Sequence, residues 1–191
     1  VSHKGELVTV KGLDEVEHDK IIVTGPDIKD LPEGSSNRIF IKVDVAGEVL
    51  EKDLEAVLER RVHQYINYIE GVFHMAQRYD IWIRIHKNAF KKGLNSLEEI
   101  GRILIDLFTA ELPVIEKMSI EFVTDPAKVE ELLAEAIKVY KERDAKVKGL
   151  REEDVEEFYG CVLCQSFAPT HVCVITPERI SLCGAINWFD G

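Results

Sequence analysis

Cysteine is absent from the first 160 residues of this 191-residue chain, and all four cysteines fall between positions 161 and 183. That crowding excludes a disulfide framework spread over a small secreted fold and fits metal ligation in a reducing compartment. Basic residues are also in deficit, with 24 Lys and Arg against 35 Asp and Glu, a net charge of -11. A nucleic-acid backbone is therefore not an expected partner, because phosphate binding calls for a basic patch. No apolar run approaches the roughly 20 residues of a membrane span, and the opening VSHKGELV has no charged-then-apolar signal layout, so a soluble, cytoplasmic protein with no membrane partner is expected. The chain has no glycine-rich phosphate loop and no G-x-S-x-G elbow to make a nucleophile of Ser166 beside His171. Asp19, Asp27 and Asp30 match no calcium loop and read as turn chemistry among Pro and Gly. No internal repeat or low-complexity tract is present.

What is there begins as alternating strands and helices. Short β-prone pieces at Leu7 to Val10 and Lys20 to Val23 precede RIFIKVDV, where Ile39, Ile41, Val43 and Val45 share one face of a strand. From Glu51 to about Arg78, apolar residues at steps of three and four predict one long amphipathic helix. A strand follows at Ile81, Ile83 and Ile85. Ser96-Leu97-Glu98-Glu99 has capping-box spacing and opens a helix that stops near Pro113. Met118 to Val123 is another strand, and Asp125-Pro126 opens a helix that runs to Gly149. This order predicts an α/β fold, a mixed or parallel sheet covered by helices, over residues 1-149.

Charge thins abruptly after that. From Gly160 onward only Glu178, Arg179 and Asp190 are charged, and Gly, Pro, Cys and aromatics take over. A second unit is expected at 150-191: a linker helix and an irregular Cys-rich segment. The chain opens on Val1 and stops on Trp188-Phe189-Asp190-Gly191 within an apolar stretch, so a piece of a longer polypeptide is expected.

Cys161, Cys164, Cys173 and Cys183 form a C-x2-C-x8-C-x9-C ladder. Four soft thiolates select zinc or an iron–sulfur cluster, and spacing alone leaves both open. A structural zinc knot is one reading, because C-x2-C opens many zinc sites. Zinc sites more often close on a second tight pair, and the nine residues before Cys183 tilt the balance toward a cluster. His171 is a possible substitute ligand, though with four thiolates at hand a hydrogen-bonding loop role suits it better.

A second feature lies on the predicted long helix. Arg60, His63, Asn67, Gly71, His74 and Arg78 recur at steps of three and four and would line one polar stripe. Such a stripe suits phosphates, which Arg binds bidentately, or is a solvated face paired to Glu59 and Glu70. His63 and His74 lie three turns apart, too far to share a metal.

The segment GCVLCQSFAPTHVCVITPERISLCGAINWFDG resembles the A-cluster segment of acetyl-CoA synthase, the nickel enzyme associated with carbon monoxide dehydrogenase. The likeness extends upstream through Gly25-Pro26-Asp27-Ile28, Leu58-Glu59-Arg60-Arg61-Val62-His63, Gln77-Arg78 and Tyr140-Lys141-Glu142-Arg143-Asp144, and so covers most of the chain. It implies that Cys161, Cys164, Cys173 and Cys183 ligate a [4Fe-4S] cluster, that Cys164 also bridges to nickel, and that Phe167 guards the open metal position. It implies an acyltransferase joining CO and a methyl group from a corrinoid iron–sulfur protein and passing the acetyl group to coenzyme A. A carbon monoxide dehydrogenase subunit would be a further partner. The family's middle domain is implicated in holding coenzyme A, which makes Arg60, Arg61, His63 and Arg78 candidate contacts, with Arg84 a further one.

The resemblance has one large departure. The family completes its nickel site with a Cys-Gly-Cys motif, and these 191 residues contain none. The polypeptide as it stands is expected to hold a cubane and to lack synthase activity. The rival expectation is a non-catalytic zinc- or cluster-binding module.

Overall fold

The computed structural model describes residues 5–35, 37–77 and 80–191. Its centre is a four-stranded sheet in the order β1-β3-β6-β2, made of β1 (Glu6–Val10), β2 (Ile21–Thr24), β3 (Phe40–Ala46) and β6 (Lys117–Val123). The sheet is mixed: β1 runs parallel to β3 and β2 parallel to β6, while β3 and β6 pair antiparallel from Phe40↔Val123 to Ala46↔Lys117.

Strand alternation divides the core. Ile39, Ile41, Val43 and Val45 join Leu58, Val62 and Ile66 of α1 (Glu55–Ile66) and Ile100, Leu104 and Phe108 of α3 (Leu97–Glu111) in the larger cluster. Phe40 and Val123 belong to the opposite cluster, with Val129, Leu133, Ala136 and Tyr140 of the long α4 (Pro126–Gly149). Helices thus cover both faces of the sheet, as a period of two in β3 requires.

Caps set the helix starts. Asp125 accepts from Lys128 N at 3.1 Å with Pro126 opening α4, and Ser96 Oγ accepts from Glu99 N at 3.2 Å at the start of α3. Asp27 does turn chemistry: Oδ1 accepts from Ile28 N at 2.7 Å and from Leu97 N at 2.8 Å, tying the loop after β2 to the start of α3.

The expected helix from Glu51 to Arg78 is corrected. After a 3-10 turn at Lys52–Leu54, α1 spans only Glu55–Ile66, and the chain turns back into a hairpin of β4 (Val72–Gln77) and β5 (Asp80–Ile85). Three-residue turns close the helix through Tyr68 N to Tyr65 O and Ile69 N to Ile66 O. Gly71 then adopts φ +84, and a Cβ there would stand 2.6 Å from Ala89 Cβ of α2 (Lys87–Lys91). The left-handed glycine turns the chain into β4, five residues after the helix has ended at Ile66 with Asn67 as its C-cap. The apolar steps run across this break because Ile69 and Val72 still face the core from non-helical backbone. The polar stripe is therefore not continuous: Arg60 and His63 stay on α1, Asn67 caps it, and His74 falls on β4.

Residues 150–191 carry little regular structure beyond the two-stranded β7 (Tyr159–Cys161) and β8 (Cys173–Ile175). They pack back on the α/β layers through Trp188 and Phe189, which sit against the larger core cluster. Among the described residues, no helix is long and apolar enough to cross a membrane.

Candidate metal centre

In the β7–β8 pair Gly160 faces Val174, and a Cβ on Gly160 would lie 3.2 Å from Val172 Cγ1. The pair's register sets Cys161 directly opposite Cys173. Opposed residues of an antiparallel pair project from the same face, so these two thiols are neighbours. Cys164 lies one turn beyond Cys161, in the 3-10 turn Leu163–Ser166, and its carbonyl accepts from Phe167 N and Ala168 N, both at 2.9 Å. His171 closes the same loop, with its N–H donating to Ala168 O and Nε2 standing 3.1 Å from Cys173 Sγ.

Cys183 sits on a separate turn. Ser181 N donates to Ile186 O, Ile186 N to Ser181 Oγ and Gly184 N to Ser181 O, closing a tight loop around the thiol. Ser181 Oγ lies 3.1 Å from its sulfur and Ala185 N donates to it at 3.5 Å. Those contacts, Ser181 first, hold the Cys183 thiol below its ordinary range, which favours the thiolate that a metal binds.

All four cysteines are free thiols, three partly accessible and Cys183 exposed. The donor chemistry therefore suits a soft metal centre. Among the described residues, no three Cys, His, Asp or Glu side chains close around a single point. The loops around the thiols present an apolar collar: Leu163 is 71 %, Phe167 91 % and Leu182 86 % exposed. Val162 and Val172 are half-exposed, while Trp188 is turned onto the core.

The arginines of α1 meet this segment. Arg60 Nε donates to Gly184 O at 3.2 Å, and Arg61 Nη2 donates to Asp190 Oδ1 at 2.9 Å, with Gln64 Oε1 3.1 Å from Nη1. His63 Nδ1 pairs with Glu6 Oε1 at 3.6 Å. Arg84 lies on β5 opposite Phe73, and its side chain is exposed. Arg78 lies outside the described residues.

Arg60 and His63 also line a cavity of about 560 Å³ between α1, the end of α4 and the Cys183 turn. Sequence periodicity missed its other basic residues, Arg143, Lys148 and Arg179, because they come from α4 and from the Cys-rich segment, and no local pattern joins them to α1. Its floor holds Glu59, buried between Arg143 and Val8 N. Burial pushes the Glu59 carboxyl up to about 7, against the pull of Arg143.

An α/β domain followed by a segment that carries four free thiols, on a strand pair and two short turns, has the donor set of a metal–sulfur protein. The chain belongs to the family of CO dehydrogenase/acetyl-CoA synthase complex beta subunits, whose model matches residues 1–129. A second model, for the C-terminal part of the ACS/CODH beta subunit, matches residues 140–191 and so covers all four cysteines. The chain is 54% identical over 186 residues to the acetyl-CoA decarbonylase/synthase complex subunit beta 2 of Methanosarcina thermophila, covering 97% of this chain and 39% of that protein. It is 55% identical over 189 residues to subunit beta 2 of Methanocaldococcus jannaschii, covering 99% of this chain and 39% of that one. Subunit beta 1 of the same organism is also 55% identical, with 25% of its length covered. The chain thus spans about two fifths or less of the curated relatives it matches.

Proposed function

We propose that Cys161, Cys164, Cys173 and Cys183 hold a [4Fe-4S] cluster, with Cys164 shared with nickel, in a protein that makes or breaks acetyl-CoA from CO, a corrinoid-bound methyl group and coenzyme A. The observation that carries this reading is the match of the C-terminal family model to the segment holding all four free thiols. When bound, the nickel and iron–sulfur centre would supply the bond-making chemistry at carbon and sulfur.

The chain's own residues would do the rest. The β7–β8 pairing sets Cys161 beside Cys173, and the Cys164 carbonyl, taken up by two backbone N–H groups, fixes the turn that aims its thiol. Phe167, almost fully exposed three residues after Cys164, is suited to screen a small-molecule site from water. Arg60, His63, Lys148 and Arg179, which line the cavity beside Cys183 together with Glu6, Glu59, Asp144 and Glu178, support a place for the phosphates of coenzyme A. Arg61 and Arg84, and Arg78 by the family resemblance, remain further proposed contacts. A carbon monoxide dehydrogenase subunit and a corrinoid methyl donor are the proposed partners, and the cytoplasm the proposed location.

Anaerobic reconstitution with iron and sulfide tests the reading. About four iron and four sulfide per chain with visible charge-transfer absorption is the expected result. A colourless protein holding one zinc would overturn it in favour of a structural zinc module. The 191-residue polypeptide, which has no Cys-Gly-Cys, is proposed to form no acetyl-CoA alone. Turnover with CO, methyl-corrinoid and coenzyme A would sink that part.

A further inference from the structure

We propose that Arg60 and Arg61 of α1 are positioning residues that dock the Cys183 turn on the α/β domain, so that the domain, and not the Cys-rich segment alone, places the fourth thiolate. The inference rests on Cys183 being a cluster ligand.

The other three cysteines need no such help. Cys161 and Cys173 are fixed by strand pairing, and Cys164 by its own 3-10 turn. Cys183 lies in loop well beyond the end of β8 and is exposed, so strand pairing cannot place it.

Two contacts hold its turn to α1. The first is shape-specific: Gly184 adopts φ +74 and passes its carbonyl to Arg60 Nε, and a Cβ on Gly184 would stand 2.6 Å from Arg60 Nη2. The guanidinium thus packs against the bare Cα of Gly184, one residue from the thiol. The second is electrostatic. Arg61, only 12 % exposed, pairs with Asp190, whose other oxygen accepts from Asn187 N at 2.8 Å. Asn187 is buried, its side chain accepts from Phe189 N at 3.0 Å, and its carbonyl accepts from Tyr159 Oη. Tyr159 begins β7, which ends on Cys161. Arg61 therefore grips the node where the Cys161 strand and the stretch after Cys183 meet.

Hydrogen–deuterium exchange on the metal-free chain is the primary test, since it reads docking whether or not iron is taken up. Arg60→Gln with Arg61→Gln should speed exchange of the Gly184 and Asp190 amides about tenfold, the scale of losing charged hydrogen bonds. Amides of β7 and β8 should change less than about twofold. Gly184→Ala, which sets a methyl group against Arg60 at a backbone angle that favours glycine, should also speed exchange of this turn without touching α1. In reconstituted protein the same variants should alter the electron paramagnetic resonance signal of the reduced cluster. Arg61→Lys, which keeps a cation facing Asp190 and leaves the Asn187 cap intact, should hold both readouts near the parent values.

Unchanged exchange at Gly184 and Asp190, or acceleration spread equally over β7, β8 and α1, would overturn the docking. Faster exchange with an unaltered cluster signal would overturn the positioning role. If the parent chain takes up no iron, the cluster reading fails, and with it the role for Cys183, while exchange still decides whether the arginines dock the turn.

Discussion

Arg143 of α4 grips two carboxylates one turn apart on α1, pairing with Glu55 at 2.9 Å and making a still closer contact with Glu59. All three side chains are largely buried, so the pair joins the two helices across the edge of β1, where Val8 N donates to Glu59 at 3.1 Å and Val10 N to Glu55 at 3.0 Å. Against the burial that opposes its charge, Arg143 is held above its ordinary range by Glu59 and then Glu55. Breaking such a cluster on one side strands buried charge. Arg143→Met should cost about 3 kcal/mol or more in urea unfolding. A loss below about 1 kcal/mol would show that the cluster contributes little.

The same cluster gives stability a pH slope. In the unfolded chain the Glu59 carboxyl ionises near its ordinary 4.5, and in the folded chain it keeps its proton to about 7. Between those values the native state binds more protons than the unfolded one. Its stabilising share is therefore complete below about pH 4.5 and is lost as pH rises through about 7. Glu6, Glu55, His63, Tyr140 and Arg143 surround it, and Arg143 moderates the shift without cancelling it. The wild-type chain should lose about 2 to 3 kcal/mol of this share from pH 5 to pH 8, and Glu59→Gln should flatten that decline. Parallel curves for the two proteins would refute the assignment.

Asp27 offers a sharper stability test because one carboxylate oxygen serves two backbone donors, Ile28 N and Leu97 N, from elements far apart in sequence. Asp27→Ala should cost about 1 to 2 kcal/mol, and Asp27→Asn less, because the amide oxygen can still accept both bonds. Thermal unfolding of the two variants side by side checks the ranking.

Much of this fold was legible where one residue type answers one physical need. Ile39, Ile41, Val43 and Val45 announce the face of β3, Asp125-Pro126 announces the start of α4, and Ser96 the start of α3. The end of α1 was not legible. Its apolar steps continue past Ile66 through Ile69 and Val72, and the reversal shows only in the three-residue turns after Ile66 and the backbone angle of Gly71. Of the candidate site, the four thiols stand out in the sequence by composition. Their pairing does not, because the Cys161↔Cys173 register depends on a turn of irregular chain. The meeting of Arg60 with Gly184 and of Arg61 with Asp190 lies still deeper, since it joins positions more than a hundred residues apart through tertiary packing alone.

Phe167 separates function from stability most cleanly. At 91 % exposure it buries almost nothing, so Phe167→Ala should shift unfolding by no more than about 0.5 kcal/mol. Its place is the turn capped by the Cys164 carbonyl, next to the proposed shared thiolate. An aromatic there that screens the metal site should matter only when the site is built. In the full-length, metal-loaded protein, Phe167→Ala is expected to change acetyl-CoA formation while leaving iron content and melting temperature at wild-type values. Unchanged turnover would reduce Phe167 to an exposed loop aromatic. A fall in melting temperature with iron loss would instead mean that the ring packs against the cluster loop and serves structure.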